Sequence, residues 1–203
     1  MGHSPTTIPP ITSIERRFNM AIYKVSKTTA ACCQLDTAIK LLLTSEDDVS
    51  VCVLIHSAWS ILKDLHRHKN SKSSRDWVVE CFPDDKPKDT WKVLDSNWNF
   101  FKHANTEHNE VLDFDAGYLE YALMFALNDF GLLSAKSTSM EVYQLWFIAK
   151  YQEYFTEENS RELLENANNL FPDLPSKPAN QQRNMGLLKL NEEVTQSLPA
   201  RSR

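Results

Sequence analysis

Asn99 and His103 stand four residues apart near the end of a helix-forming stretch, with Lys102 beside the histidine. In a helix, side chains four apart lie one above the other on the same flank. An imidazole that titrates near neutrality can give or take a proton, and a neighbouring amide and ammonium can hold an anionic group. Asp95 and Lys102 fall between that flank and the apolar side of the same helix. The hexapeptide Trp98-Asn99-Phe100-Phe101-Lys102-His103 is therefore where acid–base chemistry is best supported, with His103, Asn99 and Lys102 as the candidate catalytic residues.

Other clusters offer less. His66-Arg67-His68-Lys69 is basic and closes a helix, where positive charge is favoured, and two His at i, i+2 do not share a helical face. With Lys72 and Arg75 it forms a local basic cluster, read as a solvated loop that offers a phosphate contact. His56 lies in an apolar helix and reads as a hydrogen-bonded, half-buried side chain. His103, His108, Asp113 and Asp115 match no metal-ligand spacing, and the four Cys contain no C-x-x-C. Neither a metal nor a cofactor is expected. The phosphate-loop, nucleophile-elbow and H-E-x-x-H motifs are absent, which removes the commonest enzyme classes that depend on them.

The elements that must position these residues read as helices. The chain has 203 residues, 42% of them hydrophobic, and only four Gly, so one domain with a real core and little sheet or turn is expected. Helical periodicity marks Lys27 to Thr44, with Ala31, Leu35, Ala38, Ile39 and Leu42 on one face. Val49 to His66 follows, with Val51, Leu54, Ile55, Ala58, Leu62 and Leu65. A third helix opens at Pro87 and reaches His103, with Trp91, Leu94, Trp98 and Phe101 inward. Asp115 caps a fourth through Leu119, Ala122, Leu123, Ala126, Leu127 and Phe130, which Gly131 stops. Thr138-Ser139-Met140-Glu141 reads as a capping box opening a fifth. That helix carries Val142, Leu145, Trp146 and Ala149 on one flank and Tyr143, Phe147, Tyr151 and Tyr154 on the other. Such a helix is either central or packed on a second chain.

The fold expected is thus all-α, an antiparallel bundle of five to six helices over residues 13–171. Residues 1–12 form a flexible N-terminal segment, and 172–203 a linker-like tail with a short helix through Leu187, Leu190, Val194 and Leu198. The net charge of −5 argues against a broad nucleic-acid surface. No apolar run reaches membrane-span length and the first residues lack an apolar signal core, so a cytoplasmic protein with reduced thiols and no membrane partner is expected.

A helical bundle carrying this hexapeptide resembles the higher eukaryote and prokaryote nucleotide-binding (HEPN) family. Many members carry an Arg followed by a polar residue such as Asn, then a His a few residues on, often preceded by Lys. Asn99 matches the polar position, Lys102 the Lys and His103 the His, while Trp98 stands where the Arg would be. Active members are metal-independent ribonucleases whose catalytic residues commonly face each other across a homodimer. The resemblance implies that His103 would assist 2′-hydroxyl attack or leaving-group protonation. The missing Arg would have stabilised charge on the phosphate, and losing one such donor typically costs on the order of 10²–10³ in rate. A member that binds RNA rather than cleaving it is what this departure implies. The phrases Gln34-Leu35-Asp36-Thr37-Ala38-Ile39 and Asn99-Phe100-Phe101-Lys102-His103-Ala104 are also similar to those of a group of small bacterial proteins, a similarity that brings no activity with it.

Two functions are therefore expected of the sequence. The first is a non-enzymatic helical interaction module that self-associates or binds a protein partner through Tyr143, Phe147, Tyr151 and Tyr154. The second is a HEPN-like RNA-binding protein or weak ribonuclease using His103, Asn99 and Lys102.

Overall fold

The computed structural model describes residues 23–80, 87–103, 109–155 and 160–197. Among them every regular element is helical and no strand occurs. In chain order the helices are α1 (Lys27–Thr44), α2 (Asp48–His68), α3 (Ser74–Glu80), α4 (Pro87–Lys102), α5 (Leu119–Leu133), α6 (Thr138–Lys150), α7 (Arg161–Leu170) and α8 (Ala179–Ser197). Short 3₁₀ turns lie at Ala116–Tyr118, Gln152–Tyr154 and Leu174–Ser176. Among the described residues there are eight helices, the short α3 and the C-terminal α8 included, against the five to six expected. The lead-in at 1–12, His108 and Leu198 lie outside the described residues.

Local chemistry sets the helix ends. Ser26 caps α1 by accepting from Thr29 N–H at 3.0 Å. Ser45 turns the chain at φ 58, ψ 35, a left-handed conformation adopted here without glycine, and the N–H groups of Ser45 and Glu46 close on Leu42 and Leu41. Asp47 then caps α2 by accepting from Ser50 N–H at 3.0 Å. Ser73 and Asp76 form a reciprocal capping box on α3. The box expected at Thr138 is displaced by one residue: Ser137 is the cap and accepts from Met140 N–H. Gly131 does not stop α5, which runs on to Leu133.

The most extensive pairing joins α1 to α2, and α5 packs across both. The apolar stripe of α1 is fully buried at every expected position. On α2, Val51, Ile55, Ala58 and Leu62 are buried as expected, while Leu54 and Leu65 are half-buried. Cys52, His56, Trp59 and His66 are buried on the same helix, so α2 is covered on more than one side. Helices α5 and α6 are central, and α6 is wrapped by α5, α7 and α8.

The expected tail is the largest departure. Instead of a linker with a short helix, residues 179–197 form a 19-residue helix packed on α6 and α1. Trp146 Nε1 donates to Gln182 O at 2.7 Å, and Gln182 Nε2 donates to Leu174 O at 3.1 Å. Gly186 permits this docking: a Cβ there would stand 2.9 Å from both Leu43 Cδ2 and Trp146 Cδ1. Gly186→Val should therefore overpack the α8 contact and cost about 1–3 kcal/mol, read as a lower urea midpoint. An unchanged midpoint would mean that α8 contributes nothing to the stability of the core.

Candidate functional site

The organised polar groups sit on the inner side of α4. Arg75, at the start of α3 and only 3% exposed, donates from Nη2 to Asp95 Oδ1 at 2.5 Å and to Oδ2 at 2.6 Å. Its guanidinium also lies 5.1 Å from the centre of the Trp59 ring. His56 of α2 is 1% exposed and brings Nδ1 to 3.5 Å from Asp95 Oδ1. Trp98, one turn along α4 from Asp95, lies flat over the His56 ring with centroids 6.0 Å apart and planes 14° apart. The far side of His56 meets Tyr118, whose hydroxyl is 3.5 Å from Nε2 and 3.1 Å from Cys52 Sγ.

Electrostatics follow from this geometry. Burial alone would raise the Asp95 carboxyl, but the His56 contact and the Arg75 guanidinium outweigh it and hold the group below the usual carboxylate range. Burial pushes up the Tyr118 hydroxyl, with Cys52 adding to the rise, and it also pushes up the Cys52 thiol. The cluster is thus a buried ion pair stacked under aromatic rings, with neutral hydroxyl and thiol groups behind it. A histidine oriented by a carboxylate is what general acid–base catalysis uses. Here, however, both imidazole nitrogens face protein groups and the ring is sealed by Trp98, Trp59 and Tyr118. The arrangement ties α2, α3, α4 and the lead into α5 together.

The residues expected to do chemistry lie on the other side of α4. Asn99, Lys102 and His103 are all exposed. His103 N–H closes on Asn99 O at 3.1 Å, which keeps the two on one flank, and Lys102 Nζ rests 3.9 Å from the centre of the Trp98 ring. They share an exposed surface on α4.

The basic cluster is divided in the same way. Arg67, His68, Lys69 and Lys72 are exposed, whereas Arg75 is withdrawn into the Asp95 pair. His66 is buried as well, with Nε2 3.0 Å from Asp129 O and Nδ1 2.8 Å from Ser71 Oγ. The Asp129 carboxylate, 1% exposed, accepts from Trp59 Nε1 at 2.8 Å, Ser74 N–H at 2.6 Å and Ser74 Oγ at 2.9 Å, so an α5 side chain caps α3 from a distance. Among the described residues no group of three His, Cys, Asp or Glu is arranged to hold a metal ion.

The aromatic flank of α6 needs correction. Tyr143 is fully buried and donates to Glu120 O at 3.0 Å, and Phe147 is 5% exposed, so both belong to the core and not to a free surface. Tyr151 is half-buried and Tyr154 is 65% exposed. These two continue a row of rings: Tyr154 to Tyr151 at 6.2 Å, then Tyr151 to Tyr121 at 4.9 Å. Phe125 follows one turn along α5 from Tyr121 and meets Trp77 at 6.5 Å, where Trp77 is 56% exposed. Beneath the row, Glu120 accepts from Lys150 at 2.6 Å, Tyr151 at 2.9 Å and Arg183 at 3.4 Å. No protein-family model, no curated protein and no solved structure matches this chain. Among the described residues no helix is long and apolar enough to cross a membrane.

Arg75, His56, Tyr118, Trp77 and Tyr121 had no signal in any short motif, because their partners lie 20 to 70 residues away in sequence. The usable clue was a charged residue, Asp95, beside an apolar stripe. Removing one partner of a buried pair leaves an uncompensated charge, so Asp95→Ala should cost about 3–5 kcal/mol, read as a lower urea midpoint. A double replacement, Arg75→Met with Asp95→Leu, should recover much of that loss. The sign of the pH dependence follows from the lowered Asp95 value: its contribution is present above the unfolded carboxyl range and is lost as pH falls through the lower folded value. Asp95→Asn should therefore flatten the acid limb of the stability profile below about pH 4. An unaltered acid limb would contradict this assignment.

Proposed function

We propose that the chain is a non-enzymatic interaction module, an antiparallel helical bundle that pairs with a second copy of itself through the row from Tyr154 to Trp77. The observation that carries this is the partly exposed aromatic row across α5, the α6 end and α3, with Tyr154 and Trp77 open at its two ends. Aromatic rings with polar tips are enriched at protein interfaces. The charged groups beside the row are paired within each copy, with Glu120 held by Lys150 and Arg183.

RNA binding is a second reading, favoured by one observation. Asn99, Lys102 and His103 are exposed together on the outer flank of α4, where a polymer can reach them. This reading rests on the HEPN resemblance, in which Trp98 stands at the place of the Arg.

Light scattering after size exclusion should report twice the chain mass at micromolar concentration. Trp77→Ser with Tyr154→Ser should weaken the pair by about tenfold or more, since truncating exposed aromatic anchors typically costs on the order of 2 kcal/mol. A monomeric wild-type chain sinks the module reading. On the second reading, RNA should be retained by the wild type and released by His103→Ala with Lys102→Ala. Indifference of the wild-type protein to mixed-sequence RNA sinks that one.

A further inference from the structure

At the turn between α5 and α6 a cavity of about 510 Å³ is lined by Asn128, Leu132, Ser134, Lys136, Glu141 and the open face of Gly131. Lys136 is its reactive group. The lysine stem lies across Gly131, where a Cβ would stand 2.5 Å from Cε and 3.2 Å from Nζ, so the missing side chain makes room for it. Its Nζ donates to Gln144 Oε1 at 2.6 Å. A neutral amide oxygen favours the ammonium over the amine less strongly than a carboxylate does, because it carries no net charge. Lys72, Lys150 and Lys189 show the other arrangement, reaching Glu80 at 2.6 Å, Glu120 at 2.6 Å and Glu192 at 3.2 Å. Burial accordingly lowers the Lys136 ammonium from its ordinary range, with Glu141 opposing the shift, while carboxylate partners raise Lys72 and Lys189.

We propose that Lys136 and this cavity form a site that takes small aldehydes as an imine. The Nζ lone pair attacks the carbonyl carbon to form a C–N bond, and a proton passes from nitrogen to the carbonyl oxygen. The resulting carbinolamine loses its hydroxyl as water, leaving C=N; no oxidant or reductant takes part. Glu141 lines the same cavity and is the carboxylate available to carry that proton. Asn128 and Ser134 supply polar contacts for the aldehyde oxygen, and Leu132 and Ala135 an apolar wall for its chain.

The test uses butyraldehyde at pH 7.5 with cyanoborohydride, which fixes each imine as a secondary amine that peptide mass mapping assigns to its lysine. Lys136 should label several-fold faster than Lys72 and Lys189, because burial favours its free amine while carboxylate partners hold theirs charged. Its rate should also saturate with butyraldehyde. Leu132→Trp, an exposed substitution that fills the cavity mouth, should bring the Lys136 rate down to that of exposed Lys40 and leave the other lysines unchanged. A Lys136 rate equal to that of Lys40 in the wild type overturns the proposal. So does a Lys136 rate that rises linearly with butyraldehyde and ignores Leu132→Trp.

Discussion

The Arg75–Asp95 pair is the constraint from which the arrangement around α4 follows. Two charges taken out of water must meet each other closely, because an unpaired one would cost several kcal/mol. That requirement brings the start of α3 against α4 and fixes how α4 is rotated. Once Asp95 faces inward, Trp98 one turn on must lie over His56. Asn99 and His103 are then carried to the outer flank. The exposed position of the supposed catalytic residues is thus a consequence of a salt bridge that does not include them.

Buried charge recurs in this fold, each time at a junction between elements distant in sequence. Asp129 gathers Trp59 and Ser74, holding α2, α3 and α5. Glu120 gathers Lys150, Tyr151 and Arg183, and Arg183 also reaches Ser45 Oγ at 3.0 Å, so α8 is tied to the core through polar contacts. Apolar stripes can slide along one another at modest cost, but a buried carboxylate accepts only donors placed within hydrogen-bond reach. These junctions therefore specify the register between the helices they join.

Among the described residues, the carboxylates Asp95, Asp129 and Glu120 are engaged in these junctions. What remains exposed and organised is the aromatic row on α5 with its neighbours, the polar flank of α4 and the open cavity beside Lys136. The row and the cavity share α5, whereas the polar flank belongs to α4.

The sequence by itself determined the helical class and the stripes of α1 and α5, because these depend on spacing within one turn or two. Leu35, Ile39, Leu123 and Leu127 are buried where periodicity placed them. A helix in the tail was legible through Leu187, Leu190 and Val194, but its full extent and docking were not, since Gly186 meets Leu43 and Trp146 from far away in sequence. The flank of α6 was legible as aromatic but not as buried, since only the packing of its neighbours shows that Tyr143 and Phe147 are covered. The same holds for the polar side chains. That Asn99 and His103 share a flank follows from a four-residue spacing, but which way the flank faces was decided by Arg75, twenty residues before Asp95. Local spacing sets which side chains stand together, and only tertiary contact sets whether they meet solvent or each other.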